Sequence, residues 1–212
     1  MGINIEGLTP LEQEETLKKL LLRKKILELQ KDQKEDFLTF VRSVWPEFIA
    51  GRHHKIIAKK FEAIATKKIK RLIVNMPPRH TKSEFASFLF PAWMMGREPR
   101  LKIIQTSHTA ELAQRFGRKV RNLIDTEDYQ NIFPGMELSA DSKAAGRWET
   151  NQGGEYFSAG VGGAITGRGA DLLIIDDPHS EQDALSATAL ENAWEWYTSG
   201  PRQRLQPGGA IV

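Results

Sequence analysis

The chain contains no cysteine, which excludes a disulfide framework and a thiolate zinc site and fits a reducing compartment. It also lacks any apolar run near the roughly 20 residues that a bilayer span requires. The longest such stretch, "FLFPAWMMG", is short and is interrupted by Pro91. The N-terminus, "MGINIEGLTPLEQEE", has none of the basic-then-apolar order of a secretory signal. On these grounds the chain reads as soluble and intracellular, with no membrane partner. An excess of either charge is lacking too. A formal net charge of +3 and a pI of about 9.1 permit a nucleic-acid partner without requiring one. At 212 residues the chain can bury roughly 70% of its unfolded surface, so a covalent staple is unnecessary.

What is present is an alternation of element types. Thr9-Pro10-Leu11-Glu12 reads as a helix start, with Thr9 as N-cap, Pro10 in the first position and Glu12 completing a capping box. That helix is expected to run to about Lys31, and a second piece, "EDFLTFVRSVW", to end at Trp45-Pro46. Residues 1–50 are therefore expected to form an α-helical appendage, a lid or packing arm without chemistry. Residues 51–212 read as an α/β core with a mostly parallel sheet flanked by helices. Strands are expected at "RLIVN", "LKIIQTS", "GEYFSA", "DLLIIDD" and "GGAIV". Helices are expected over 53–66, 83–94, 109–124 and 184–199. Because the chain stops inside an apolar strand, it is expected to be part of a longer protein.

The stretch "RLIVNMPPRHTKSEF" has the outline of a phosphate-binding loop and none of its glycines. In the pattern G-x-x-x-x-G-K-[ST], Met76 and Thr81 stand at the glycine positions. Such a loop works through backbone N–H groups at a helix N-terminus, with glycine serving only close approach. Lys82 supplies the cation for β- and γ-phosphates, and Ser83 the hydroxyl for Mg²⁺. Pro77 and Pro78 fix φ and hold the loop by stiffness, while Arg79 adds a second cation. By its own letters this is a weak signal, and an ordinary turn ending in lysine is the competing reading.

The second half of the pattern lies about ninety residues further on, in "DLLIIDDP". A carboxylate at the C-terminal end of a core parallel strand sits where open α/β sheets bind ligands. Asp176 would hold Mg²⁺, and Asp177 would stand at the position of the base that orients the attacking water. That base is usually Glu. Either the site closes more tightly around the shorter Asp177, or another acid such as Glu181 takes the role. In "TGRGAD", Arg168 lies between glycines and is a candidate arginine finger beside the simpler reading of a solvent-facing loop residue. "HTAELAQRFGRKVRNLI" is amphipathic, with Leu112, Phe116, Val120 and Leu123 inward and Arg115, Arg118, Lys119 and Arg121 outward. That row fits a DNA backbone or, more simply, a solvated face. Asp32, Asp36, His53 and His54 do not make a convincing metal set.

Taken together, "HHKIIAKKFEAIATKKIKRLIVNMPPRHTKSE", "QTSHTAELAQRFGRKVRNLI", "GRGADLLIIDDPHS" and "RQRLQPGGAIV" resemble the ATPase domain of tailed-phage large terminase subunits. The resemblance runs from His53 to the C-terminus. It implies a P-loop NTPase core of the ASCE/RecA-like type, with ATP and Mg²⁺ as cofactors. The implied activity is ATP hydrolysis coupled to translocation of double-stranded DNA into a prohead. It further implies a ring on the portal protein, a small terminase subunit as partner, and the host cytoplasm as location. Carried over by position, the loop Pro78, Arg79, His80, Thr81, Lys82, Ser83 and Glu84 would hold the phosphates. Arg79 would sense the γ-phosphate, and Ser83 and Asp176 would hold the metal. Asp177 would be the catalytic acid and Arg168 a finger acting in trans. His54, with His53, falls in the segment that contacts adenine. The coupling motif and the nuclease domain would lie beyond Val212, so nuclease activity is not expected of these residues. The competing functions are a helicase-like translocase, a nucleotide-gated DNA-binding or assembly module without turnover, and a ligand-free α/β domain.

Overall fold

The computed structural model describes residues 9–144, 146–165 and 167–212, and of residues 141–143 only the backbone. The N-terminal segment 1–8 and Thr166 of "TGRGAD" lie outside the described residues. Among the described residues no helix is long and apolar enough to cross a membrane.

The N-terminal capping box forms as expected: Thr9 accepts from the Glu12 N–H, and the Glu12 carboxylate accepts from the Thr9 N–H at 2.8 Å. It opens α1 (Pro10–Glu35). α2 (Phe37–Val44) follows at once, because Asp36 ends α1 and caps α2, accepting from the Thr39 N–H at 2.7 Å. The segment expected as an appendage divides in two. Most of α1 is exposed, with Leu11, Leu17, Leu22 and Leu27 in solvent, whereas Phe37, Phe40 and Val41 of α2 are completely buried. Phe37 packs edge-on against Phe61, Phe85 and Trp93, each at 5.4 Å between ring centres, and so joins the main core.

A six-stranded sheet forms the centre, in the order β2-β3-β4-β1-β5-β6. The strands β1 (Lys102–Ser107), β4 (Glu155–Gly160), β5 (Ala170–Asp176) and β6 (Leu205–Ile211) run parallel. A short antiparallel pair, β2 (Leu138–Ala144) and β3 (Arg147–Thr150), extends the sheet beyond β4. Neither β2, β3 nor the small helix α6 (Glu127–Ile132) announces itself by periodicity in the sequence. Side chains alternate across the sheet. Ile103, Leu172 and Ile174 face a layer containing α2, α3 (Arg52–Ala65), α4 (Phe90–Arg97) and α5 (Ala110–Ile124). Ile104, Leu173 and Ile211 face the other layer, where Trp196 and Tyr197 of α7 (Ala187–Ser199) pack. α7 begins after Ser186, which caps it, because residues 183–185 form a separate 3₁₀ turn.

"RLIVN" departs from expectation. Only Arg71 bridges to Ile211, supported by bonds from Ile211 N–H to Lys70 O (2.9 Å) and from Leu72 N–H to Ile211 O (3.0 Å). β6 ends at that level, and a strand without a continuing partner builds no ladder. Ile73 is left 85% exposed, so this is an extended edge and not a core strand.

The helix expected at 83–94 forms but is not uniform. Glu84–Leu89 is π-helical and passes into α4, with Phe90 N–H bonded to Phe85 O. Pro91 cannot donate to the turn before it, and local π geometry accommodates that loss.

Candidate functional site

The four residues singled out in two distant segments meet at the C-terminal end of β5. Ser83 Oγ donates to Asp176 Oδ1 at 3.0 Å across 93 positions of sequence. Lys82 forms an ion pair with Asp177. Asp176 is nearly buried on the helical face of the sheet, whereas Asp177 turns outward with its side chain 59% exposed. The strand ends between them. Asp177 has φ +42°, and its carbonyl accepts from the His108 N–H at 3.2 Å, which ties it to the segment that follows β1. Burial raises the Asp176 carboxyl above the usual range, with a further push from neighbouring Asp177; bonds from Ser83 and Ser87 and the charge of Lys82 oppose that rise.

The loop itself shows how a glycine-free sequence reaches this shape. Arg79 and Thr81 adopt φ +63° and +60°, a left-handed conformation that a β-branched residue rarely occupies. Thr81 is held there by its own hydroxyl, which donates to His80 O and lies 2.6 Å from His54 Nε2. His54 Nδ1 accepts from the Gly51 N–H at 2.9 Å, so Nε2 carries the proton and donates to Thr81. Burial, together with the neighbouring imidazoles of His53 and His80, keeps His54 below the usual histidine range and therefore neutral. His80 Nδ1 donates to Pro78 O at 2.9 Å, closing the turn from within. Thr81 O then receives the Phe85 N–H, and the helix starts.

Not every expected residue points into the site. Arg79, Thr81, Lys82, Ser83, Glu84 and Pro78 line an open cavity of 580 Å³ that Asp177 closes on one side. Lys82, Asp176 and Asp177 also border an adjoining cleft of 630 Å³, walled by Ile73, Trp194 and Tyr197. The Glu84 carboxylate is occupied by Lys119, at 2.5 and 2.6 Å. Lys119 is therefore not part of an outward basic row; it lies over Phe88 and joins α5 to the loop helix. His54 is buried, with both ring nitrogens engaged inside the protein, so it shapes the loop. Glu181 is exposed and lines neither cavity.

Arg168 stands apart. It pairs with Glu155 and covers the Phe157 ring at 4.2 Å. Glu155 opens β4, while Gly160 at its other end aligns with Ser107 and through it with Asp176. Five residues of strand separate these levels, roughly 16 Å, so Arg168 lies toward the opposite end of the strands. Its flanking glycines serve shape: Gly167 has φ +76°, and a Cβ on Gly169 would lie 2.0 Å from Gln206 Nε2.

Two residues absent from the expected set stand behind Asp176, one in contact with it and one reaching it through the first. Ser87 Oγ donates to Asp176 Oδ2 at 2.9 Å, and Gln105 Nε2 donates to Ser87 Oγ at 3.1 Å. Both side chains are fully buried. The spacing of Ser87 from Ser83, four residues along a helix, is the one sequence signal that places it on the same face.

Ser83, on the 580 Å³ cavity, and Asp176, on the adjoining cleft, present hard oxygen donors beside each other. That set fits Mg²⁺, which keeps much of its water shell and binds through one or two protein oxygens plus phosphate. No cluster of three His, Asp or Glu ligands occurs among the described residues.

No family model matches the chain. Over 164 residues, 76% of its length, it is 26% identical to the terminase large subunit of Enterobacteria phage T3. The relationship is one of distant homology. The chain spans 28% of that relative's length, an extent consistent with one domain.

Proposed function

We propose that this distant relative of a phage terminase large subunit is an ATP-binding and ATP-hydrolysing module of a DNA-packaging motor. The observation that carries the reading is the convergence of Lys82, Ser83, Asp176 and Asp177. A lysine and hydroxyl opening a helix meet two carboxylates ending a parallel strand, with an open cavity between them.

In this reading Lys82 exchanges its contact with Asp177 for phosphate oxygens, joined by N–H groups at the helix start. Ser83 and Asp176 hold the magnesium ion, which supplies charge neutralisation on the phosphates when bound. Asp177, released from Lys82 and still anchored through its carbonyl to His108, orients and deprotonates the attacking water. Arg79, on the cavity wall beside Lys82, takes the role of sensing the terminal phosphate in this reading. Arg168 does not reach the same cavity, and its role in this reading is to act on a neighbouring subunit. Double-stranded DNA, a small terminase subunit, the portal protein and a ring of copies are the partners this function requires.

Calorimetric titration with a non-hydrolysable ATP analogue and Mg²⁺ tests the proposal. Lys82→Ala is expected to lose at least tenfold in affinity, while Arg168→Ala binds as the wild type does. Equal binding by wild type and Lys82→Ala would sink the assignment, as would a folded wild type that does not bind.

A further inference from the structure

The face of the sheet beneath Asp176 is unusually polar for a core. Gln105 on β1 aligns with Ser158 on β4 and Ile174 on β5, and Ser107 aligns with Asp176, so these side chains share one face with Tyr156. Gln105 and Ser107 are completely buried. A buried polar group costs free energy unless it is satisfied, so such groups in a sheet centre call for a reason.

For Gln105 the reason lies in how the two oxygens of Asp176 are held, whereas Ser107 Oγ has no hydrogen-bond partner and stands outside this network. Oδ1 receives the hydroxyl of Ser83, at the cavity mouth, and Oδ2 receives the hydroxyl of Ser87, inside the core. A carboxylate only accepts, so the single Ser87 proton is committed to Asp176. Ser87 is then left with lone pairs to fill, and Gln105 Nε2 fills one at 3.1 Å. The direction of every bond is thereby fixed: amide to hydroxyl, hydroxyl to carboxylate. The chain runs from the central strand, through the loop helix, to the residue that ends β5. It ties the carboxylate plane to β1 and to the helix whose start carries Lys82 and Ser83.

We propose that Ser87 and Gln105 are positioning residues, a buried relay that orients the Asp176 carboxylate so that its outer oxygen and the Ser83 hydroxyl together receive the divalent cation. The inference rests on the nucleotide reading above and deepens it. Partners behind a metal ligand typically set affinity by 10–100-fold, because they remove the cost of orienting the ligand when the ion arrives. Neither residue touches nucleotide or cation. Their effect is therefore on the cation dependence of binding and not on phosphate recognition by Lys82.

The test is calorimetric titration of the full chain with a non-hydrolysable ATP analogue across a series of Mg²⁺ concentrations and in EDTA. Thermal unfolding of each variant is measured in parallel. Ser87→Ala is expected to need about tenfold more Mg²⁺ for half-maximal enhancement of binding, with affinity in EDTA unchanged. Ser87→Thr, which keeps the hydroxyl, is expected to restore the wild-type Mg²⁺ midpoint. Gln105→Met, close in volume and without the amide, should shift the midpoint in the same direction by a smaller factor. The Ser87→Ala/Gln105→Met double variant should then be no worse than Ser87→Ala, since the amide acts only through the hydroxyl. Should Ser87→Ala not fold, Gln105→Met against wild type carries the same comparison. A Mg²⁺ midpoint unmoved in both folded variants overturns the relay even if their melting temperatures fall. An equal loss in EDTA and in Mg²⁺ overturns it too, because the effect would then be on the loop. If the wild type binds the analogue with no dependence on Mg²⁺, the nucleotide–metal reading itself fails, a result distinct from a variant that matches a Mg²⁺-dependent wild type.

Discussion

Lys82 and Asp177, 95 positions apart in the chain, are paired across the cavity mouth, so the cation assigned to phosphate and the carboxylate assigned to water neutralise each other when no nucleotide is present. The pair is unevenly exposed, the lysine side chain at 23% and the aspartate at 59%. Such a contact is weak enough to be exchanged for a charged ligand.

Asp177→Asn separates the two roles. Removing the charge frees Lys82 for phosphate, so analogue affinity is expected to hold or to rise a few-fold. Hydrolysis in the assembled protein is expected to fall by about 100-fold or more. Paired calorimetry and phosphate-release measurements check this, and a loss of binding equal to the loss of turnover would contradict it.

Thr81→Gly sets strain against hydrogen bonding. Glycine accepts φ +60° freely, relieving on the order of 1 kcal/mol. It also removes the bonds to His80 O and His54, worth about as much. Stability by chemical denaturation is expected to stay within roughly 1 kcal/mol of wild type, while analogue affinity falls because the loop loses its tie to α3. Tighter binding in the variant would show that the tie is dispensable.

His54 makes the loop sensitive to acid. Its folded value is depressed, chiefly by burial and then by His53 and His80, so the unfolded chain takes up the proton first as pH falls. The stability it contributes is intact above about pH 6.5, the ordinary histidine value, and is lost as pH drops through the lower folded value. Protonation also ends acceptance from Gly51. Melting temperature and analogue affinity are expected to decline together below that point, and His54→Gln to flatten the decline. An unchanged slope in the variant would assign the acid sensitivity elsewhere.

Phe37→Ala tests whether α2 belongs to the core. The ring is fully buried among Phe61, Phe85, Phe90 and Trp93, and its removal is expected to cost about 3–5 kcal/mol. The loss should appear in a single unfolding transition that includes the candidate site. A separate early transition, with the site intact, would mark α2 as a detachable arm.

Local chemistry was legible in the sequence. The Thr9 capping box, the strands "LKIIQTS" and "DLLIIDD" and the α5 stripe all formed where pattern and propensity placed them, because each carries its signal within a few residues. Lys82, Ser83, Asp176 and Asp177 could be named because each stands at a strand end or helix start. Only the tertiary structure decided the rest. "RLIVN" has the composition of a core strand, yet pairing is a property of two chains segments at once, and β6 offers it a single bridge. Lys119 reads as solvent-facing on its own helix, and only the approach of Glu84 draws it inward. Arg168 sits beside the carboxylate strand in sequence, but at the end of β5 opposite Asp176, since a strand carries its two ends apart by its own length. Ser87 and Gln105 look like ordinary polar residues until the sheet and helix close over them, because burial and partnership arise only when distant segments meet.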